Sequence, residues 1–402
     1  MARLLSIKNR PAMDKLAELP FFLQYINVEM RLKGFGVWQK AFKKFRDKLD
    51  VDVCKSLLEV ARQSTLNKED MDWITFHEAE ILFLRLKNEQ AESRLLNILG
   101  STQSKIVNAN ARNKLADLQR TNGLYDIALQ NYNISLELFL GSGDFITRAT
   151  VVHMIGVTYW AKGEYELAES YFQQSLAEYQ YIIEHWESMN TEICNFVRSR
   201  EDIQRHKANV MRDLGDLYRK TARLDEAEKC LIQSSSILES SQELNEVQMT
   251  YLSIAKLFRE KENWSECIEY NLKAYEISRE LHSTINETEA LFRLAEAYYL
   301  TKQYHIAKEW ANKAFSAAKD YNLPYFCSRS SRLLGLINLE TGKIQVGINN
   351  LISAIGFAYK FSPNLMPMVV SEINGICCRI KVSHPKLALK LERALLLYQT
   401  KK

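Results

Sequence analysis

Three sets of residues in this chain have types that could do chemistry: its histidines, its cysteines, and a recurring group of arginines and asparagines. The seven histidines, at 77, 153, 185, 206, 282, 305 and 384, stand apart in sequence and offer no metal-ligand spacing. The seven cysteines, at 54, 194, 230, 267, 327, 377 and 378, form no CxxC, and an odd number cannot all pair internally. Free buried thiols in a reducing cytoplasm are the expectation. Cys377 and Cys378 fall within a helical stretch, where burial is expected before reactivity. No glycine-rich loop is built to cradle phosphate. The expectation is therefore a non-enzymatic protein with no metal and no cofactor. The third set suits recognition. It comprises Asn110, Asn113, Lys114, Asp117 and Arg120, then Asn209, Arg212, Asp213, Asp216 and Arg219. Lys256 and Arg259 follow, then Glu289, Arg293 and Glu296, then Arg329 and Arg332. An asparagine amide can both donate to and accept from a peptide backbone. An arginine grips a carboxylate, including a peptide's terminal one, with two parallel hydrogen bonds. The mixture points to an extended peptide of acidic character. The alternative is a solvated face holding internal ion pairs, such as Arg212 with Asp216 one helical turn away.

What must position these side chains is a repeat of bulk, not of letters. Glycine (14) and proline (6) are scarce in 402 residues, which favours long helices over a loop-rich β fold. Around Gly156 the pattern runs Ile155, Gly156, Tyr159, Ala168, Phe172, Ser175. Around Gly215 it runs Leu214, Gly215, Tyr218, Ala227, Leu231, Ser234. Further copies are centred on Ala116, Ala255, Ala295 and Gly335, with weaker ones on Ala79 and Gly375. Successive centres lie 37, 40, 59, 40, 40, 40 and 40 residues apart. A fixed period in this range means a helical solenoid. Each unit reads as two helices with apolar stripes of period 3.6, joined by polar or glycine-bearing turns. Small residues recur where the two helices cross, because a larger side chain would push the axes apart. A lone unit cannot bury its apolar face, so the units stack.

The order of large–small pair, aromatic, small, aromatic, small carried by Ile155, Gly156, Tyr159, Ala168, Phe172 and Ser175 resembles the tetratricopeptide repeat. The resemblance covers about 75–400 in eight units. The period of 40 exceeds the family's usual 34, as in the extended-helix versions of kinesin light chains and bacterial peptide-sensing regulators. The family's terminal proline is absent from almost every unit. The resemblance implies an all-α, right-handed α-solenoid whose concave face is lined by the first helix of each unit. Side chains one turn before and just after the small residue then face the groove. The implied partner-binding set is Asn110, Asn113, Asn209, Arg212, Asp216, Arg219, Lys256, Arg259, Arg293 and Arg332. The family's carboxylate clamp needs Lys, Asn and Arg on three successive first helices. Thr150, Met154 and Val157 do not supply it, which argues against recognition of a chaperone C-terminus.

Two regions break the rhythm. The 59-residue step inserts 19 residues around 176–210, which predicts two over-long helices. Residues 1–70 lie outside the repeat and predict an N-terminal helical cap or bundle, a layout similar to that of bacterial peptide-responsive regulators of the Rap type. Within it, Trp38, Phe42, Phe45 and Leu49 share one helical face, and Lys40, Lys43, Lys44, Arg46 and Lys48 lie mostly off it. Such a basic amphipathic helix suits an anionic membrane surface over 35–49, an acidic partner or a calmodulin-like target, unless its apolar face caps the first repeats. Residues 1–48 carry 11 Lys/Arg against 4 Asp/Glu, so the net +4 of the chain belongs to this segment and the remainder is −3. The surplus is short and carries no RNA-binding repeat code, which disfavours nucleic acid. No stretch is apolar and long enough to span a bilayer, and no signal peptide is read at the start.

The expectation is thus an N-terminal basic helical segment (1–70) and a solenoid (71–402). It is a cytoplasmic scaffold that binds a partner protein or extended peptide in its groove. The alternative is a peptide-sensing regulator whose solenoid changes pitch on ligand binding and so controls the N-terminal segment.

Overall fold

The structure, a computed structural model, describes residues 12–46, 51–64, 66–187, 200–241, 243–361 and 366–399. Over these residues the chain forms nineteen α-helices and no strand. Three helices come first: α1 (Ala12–Lys33), α2 (Gly36–Arg46) and α3 (Val51–Arg62). Eight helix pairs follow. They are α4 (Lys68–Leu84) with α5 (Asn88–Ser101), α6 (Lys105–Thr121) with α7 (Tyr125–Phe139), α8 (Phe145–Lys162) with α9 (Tyr165–Glu184), and α10 (Arg200–Lys220) with α11 (Leu224–Ser241). Then come α12 (Leu244–Glu260) with α13 (Trp264–Glu280), α14 (Thr284–Leu300) with α15 (Tyr304–Asp320), α16 (Pro324–Glu340) with α17 (Ile344–Phe361), and α18 (Met366–Ile380) with α19 (Pro385–Gln399). By contact density the protein divides into two compact units, Met1–Leu217 and Tyr218–Lys402.

The turns inside the first seven pairs close in one way. The first helix ends on a residue in the left-handed conformation, and the next N–H reaches back to a carbonyl five residues earlier. Glu164 donates to Tyr159 O (2.9 Å), Asn263 to Phe258 O (2.8 Å) and Gln303 to Tyr298 O (2.9 Å). The repeat's aromatic thus supplies the carbonyl that stops the helix. The left-handed position is glycine at 123, 163 and 342, but Leu86, Ala222, Glu262 and Lys302 occupy it elsewhere with φ between 55° and 61°.

Packing explains the small residues. A Cβ added at Gly156 would stand 2.7 Å from the Phe172 ring, and one at Gly335 would stand 2.8 Å from Leu351. Ala116, Ala168, Ala295 and Ala307, at the matching positions, are fully buried. The last pair departs from this register. Gly375 faces open space, and the buried residues are Ile376 and Ala388. Its turn holds four residues (381–384) where the preceding pair has three (341–343), which sets the second helix one residue further from Gly375.

The helices flanking the insertion are long, 20 residues in α9 and 21 in α10. Their added turns pack inward: Tyr179, Ile182, Ile183 and Ile203 are buried, and the Tyr179 hydroxyl lies 2.7 Å from Thr150 Oγ1. Residues 188–199 between them, with Cys194, lie outside the described residues.

In the N-terminal bundle the apolar face of α2 is covered. Trp38 and Phe42 are fully buried among Phe22, Ile26, Leu57, Ala61 and Ile74. Trp38 Nε1 donates to Leu57 O at 2.6 Å, and its ring stacks on Phe35 and Phe42, both at 5.0 Å. Phe45 meets Phe22 edge to face at 5.3 Å. For this face to enter a bilayer or grip a partner, the bundle would have to open. The side chains of Lys40, Lys43 and Lys44, and residues 47–50 with Lys48 and Leu49, lie outside the described residues.

Candidate functional site

The first helices of successive pairs lie side by side: α4 meets α6, α6 meets α8, and α14 meets α16. Residues spaced three and four apart on such helices form a continuous polar stripe. Each unit carries one.

In the first unit the stripe is made of matched pairs. Lys114 binds Asp117 (3.0 Å), which also accepts from the Tyr132 hydroxyl (2.6 Å). Burial disfavours the Lys114 ammonium, but the Asp117 and Glu80 carboxylates prevail and hold its pKa above the ordinary value. Burial, reinforced by Asp117, pushes the Tyr132 phenol far up. Below them Arg46 and His77 converge on the buried Glu80 at 2.6 and 2.7 Å, tying α2 to α4. Burial opposes the Glu80 charge, yet Arg46 and His77 hold that carboxyl well below its usual range. Further along, His153 Nε2 lies 2.9 Å from Asp213 Oδ2, bridging α8 to α10. Arg212 donates through Nε and Nη2 to Asp213 Oδ1 (3.2 and 3.0 Å) and through Nη1 to Asn209 Oδ1 (3.0 Å). Against the effect of burial, Arg212 and His153 lower the Asp213 pKa to about 2. Asn110 Nδ2 is turned back onto Ile106 O (2.9 Å). Asn113 is half-buried with its Oδ1 unpaired, and Asp216 is half-buried on α10.

The second unit carries a longer run. Lys256 on α12 reaches Glu289 on α14 at 3.7 Å. Glu289 also pairs with Arg293 (3.4 Å), and Arg293 in turn with Glu296 (3.2 Å). Glu296 is shared with Arg259 (3.1 Å), which approaches Glu260 at 4.0 Å, and Glu260 binds Arg219. Burial is overcome at Glu289 too, where Lys256 and Arg293 keep the carboxyl below its ordinary value. Next in line, the Arg329 guanidinium lies over the buried Phe292 ring at 4.1 Å and near the Tyr325 ring at 5.4 Å. Burial first, and Arg293 second, lower the Arg329 pKa. Arg332 is half-buried on the same helix.

The expected groove residues therefore gather on two stripes. Within them Arg212, Arg219, Lys256, Arg259 and Arg293 each have an acidic partner. Sequence reasoning passed over His153, Tyr132, Phe292 and the Arg46–His77–Glu80 cluster. His153 and Phe292 stand three residues before their small residue, the register of Asn113, Arg212 and Arg332, so a strict alignment contains that signal. The Arg46–Glu80 contact crosses from bundle to repeat and leaves no periodic mark.

Among the described residues no group of three or more His, Cys, Asp or Glu side chains is placed to hold a metal ion. Cys377 is buried, as are Cys54, Cys267 and Cys327, whereas Cys378 is exposed. Burial raises the Cys267 thiol to about 11, so it is not a ready nucleophile. No described helix is long and apolar enough to cross a membrane.

Tetratricopeptide repeat family models match residues 108–180 and 288–321. No curated protein matches the sequence. Among solved structures, the apo form of RapI superimposes with a TM-score of 0.64 at 12% identity, covering 94% of this chain and 98% of its own. A Rap protein complexed with Competence and Sporulation Factor gives 0.56 at 15% identity, covering 92% and 98%. The apo quorum sensor NprR from B. thuringiensis gives 0.56 at 13% identity, covering 86% and 99%.

Proposed function

We propose that this protein, which is a tetratricopeptide repeat protein, acts as a non-enzymatic scaffold that binds a partner protein or an extended peptide along its polar stripes. The observation that carries this reading is the run on α12, α14 and α16. Lys256, Arg259, Arg293 and Arg329 are half-buried there, and Arg219 joins them from α10. They outnumber the three carboxylates Glu260, Glu289 and Glu296 among them. A fold needs no such cationic surplus, because a buried charge without a counter-charge costs stability. A ligand with acidic groups supplies the balance. The N-terminal bundle is the capping element of this arrangement, and the cytoplasm is the proposed compartment.

A second reading is supported by the fold shared with a Rap protein bound to Competence and Sporulation Factor and with the quorum sensor NprR. In it the ligand is a short peptide whose binding alters the spacing of the repeats and so the hold of the bundle on a target.

The test is affinity purification of the tagged full-length protein from its native cells, followed by measured binding of what co-elutes. The scaffold reading expects a near-stoichiometric protein whose affinity falls at least about tenfold with Arg259→Gln and Arg293→Gln together. Unchanged binding by that variant removes the stripe as the site. A short peptide in place of a protein, with a change of compactness in solution scattering, selects the sensor.

A further inference from the structure

We infer that the second unit contains a carboxylate-binding subsite: Arg329 grips the acid group, Arg293 stands beside it, and Phe292 and Tyr325 form its floor. This deepens the function proposed above and rests on it.

Arg329 differs from four other arginines of the stripes. Arg212, Arg219, Arg259 and Arg293 each have a carboxylate within 4.0 Å. Arg329 has its two aromatic neighbours and a hydrogen bond from Nη1 to the Tyr325 hydroxyl at 3.3 Å, and no described carboxylate lies at ion-pair distance. The nearest acids are already engaged, Glu289 by Lys256 and Arg293, and Glu296 by Arg259 and Arg293. Arg293 adds a second cation with a buried, unpaired Nε. A guanidinium so placed has lost hydration and gained no carboxylate in direct contact.

The geometry selects the ligand. A planar fork of N–H donors flat on an aromatic ring is fixed in plane, which suits two parallel hydrogen bonds to a carboxylate. The ring below desolvates the pair and strengthens it. Tyr325 is 42% exposed, so the site opens to the surface. Glu289 and Glu296 hold down the local positive charge, which disfavours a phosphate dianion. The acid is either the C-terminus of a peptide or an Asp or Glu side chain of the ligand.

The test retains the full-length protein on three sets of random dodecapeptides anchored by their N-termini. One set has free C-termini and no Asp or Glu. The second is amidated and contains Asp and Glu. The third is amidated and free of both. At least one acid-bearing set should retain the protein about tenfold better than the third. Whichever does so names the source of the carboxylate. Arg329→Gln should abolish that margin, Arg329→Lys should lose most of it by keeping charge without the fork, and Arg148→Gln in the first unit should keep it. Melting by circular dichroism checks that each variant folds, and Arg329→Lys carries the test if Arg329→Gln melts early. Equal retention on all three sets overturns the subsite and leaves peptide binding standing. So does a full margin in both Arg329 variants. Retention on none overturns the peptide reading as well.

Discussion

His153 in the first unit and Phe292 in the second occupy the same repeat position, three residues before the small residue of the helix crossing. His153 accepts a charged neighbour, and Asp213 closes onto it at 2.9 Å with Arg212 completing the set. Phe292 offers only a ring, and Arg329 lies over it with no described carboxylate at ion-pair distance. The units also differ in their turns. The first unit places Gly123 and Gly163 in the left-handed position, with Leu86 the exception. The second places Ala222, Glu262, His282, Lys302 and Asn322 there, and only Gly342 is free of Cβ strain. Positions set by geometry are the same in both units. What fills them closes Lys114, His153 and Arg212 onto carboxylates in the first stripe and leaves Arg329 in the second without a carboxylate at ion-pair distance.

The largest effect should come from opening a closed pair. Asp213→Ala leaves the half-buried Arg212 and His153 without their carboxylate and should cost about 3 kcal/mol in urea unfolding. A cost near zero would mean that the first stripe is solvated like the surface, and the contrast between units would fail.

The pH dependence of the same group sharpens the point. Asp213 has its carboxyl lowered from 3.8 to about 2 in the folded protein. A depressed carboxylate stabilises fully above its unfolded pKa and loses that stability as pH falls through the folded one. About 2 kcal/mol should therefore fade between pH 4 and pH 2. Asp213→Asn should flatten that interval in a series of urea midpoints; an unchanged slope would assign the acid sensitivity elsewhere.

Turn substitutions should separate the units by sign. Lys302→Gly relieves a φ of 60° and should raise stability by about 1 kcal/mol. Gly163→Ala imposes the same strain at a φ of 83° and should lower it by about as much. Equal signs in thermal melts would show that the turns do not limit either unit.

The smallest effect is the most telling for function. Arg329→Leu should leave stability within about 0.5 kcal/mol of the parent or raise it, since no ion pair is lost and an uncompensated charge is removed. A loss as large as that of Asp213→Ala would make Arg329 a structural residue and place both stripes in one class.

Most of the architecture was legible in the sequence because it is periodic. Gly156, Ala168 and Phe172 repeat in bulk along the chain, since two helices crossing at one distance admit only small side chains at the contact. In the last pair Gly375 faces open space, and the extra residue of its turn buries Ala388 where an even period expects Leu387. The stripes were legible as positions, since one turn before and just after the small residue is a matter of helical geometry. Their pairing was not. The alternative of internal ion pairs set Arg212 against Asp216, one turn along the same helix, and the structure gives it Asp213 with His153 arriving from α8.

The amino-acid sequence by itself determined the helices, their pairing and the face on which charge is displayed, because each depends on spacings of three, four and forty residues. Only the tertiary structure decided which charges cancel. An ion pair between helices thirty or sixty residues apart depends on how neighbouring repeats are set side by side. A side chain's partner there is chosen by a few ångströms of packing that no local pattern encodes.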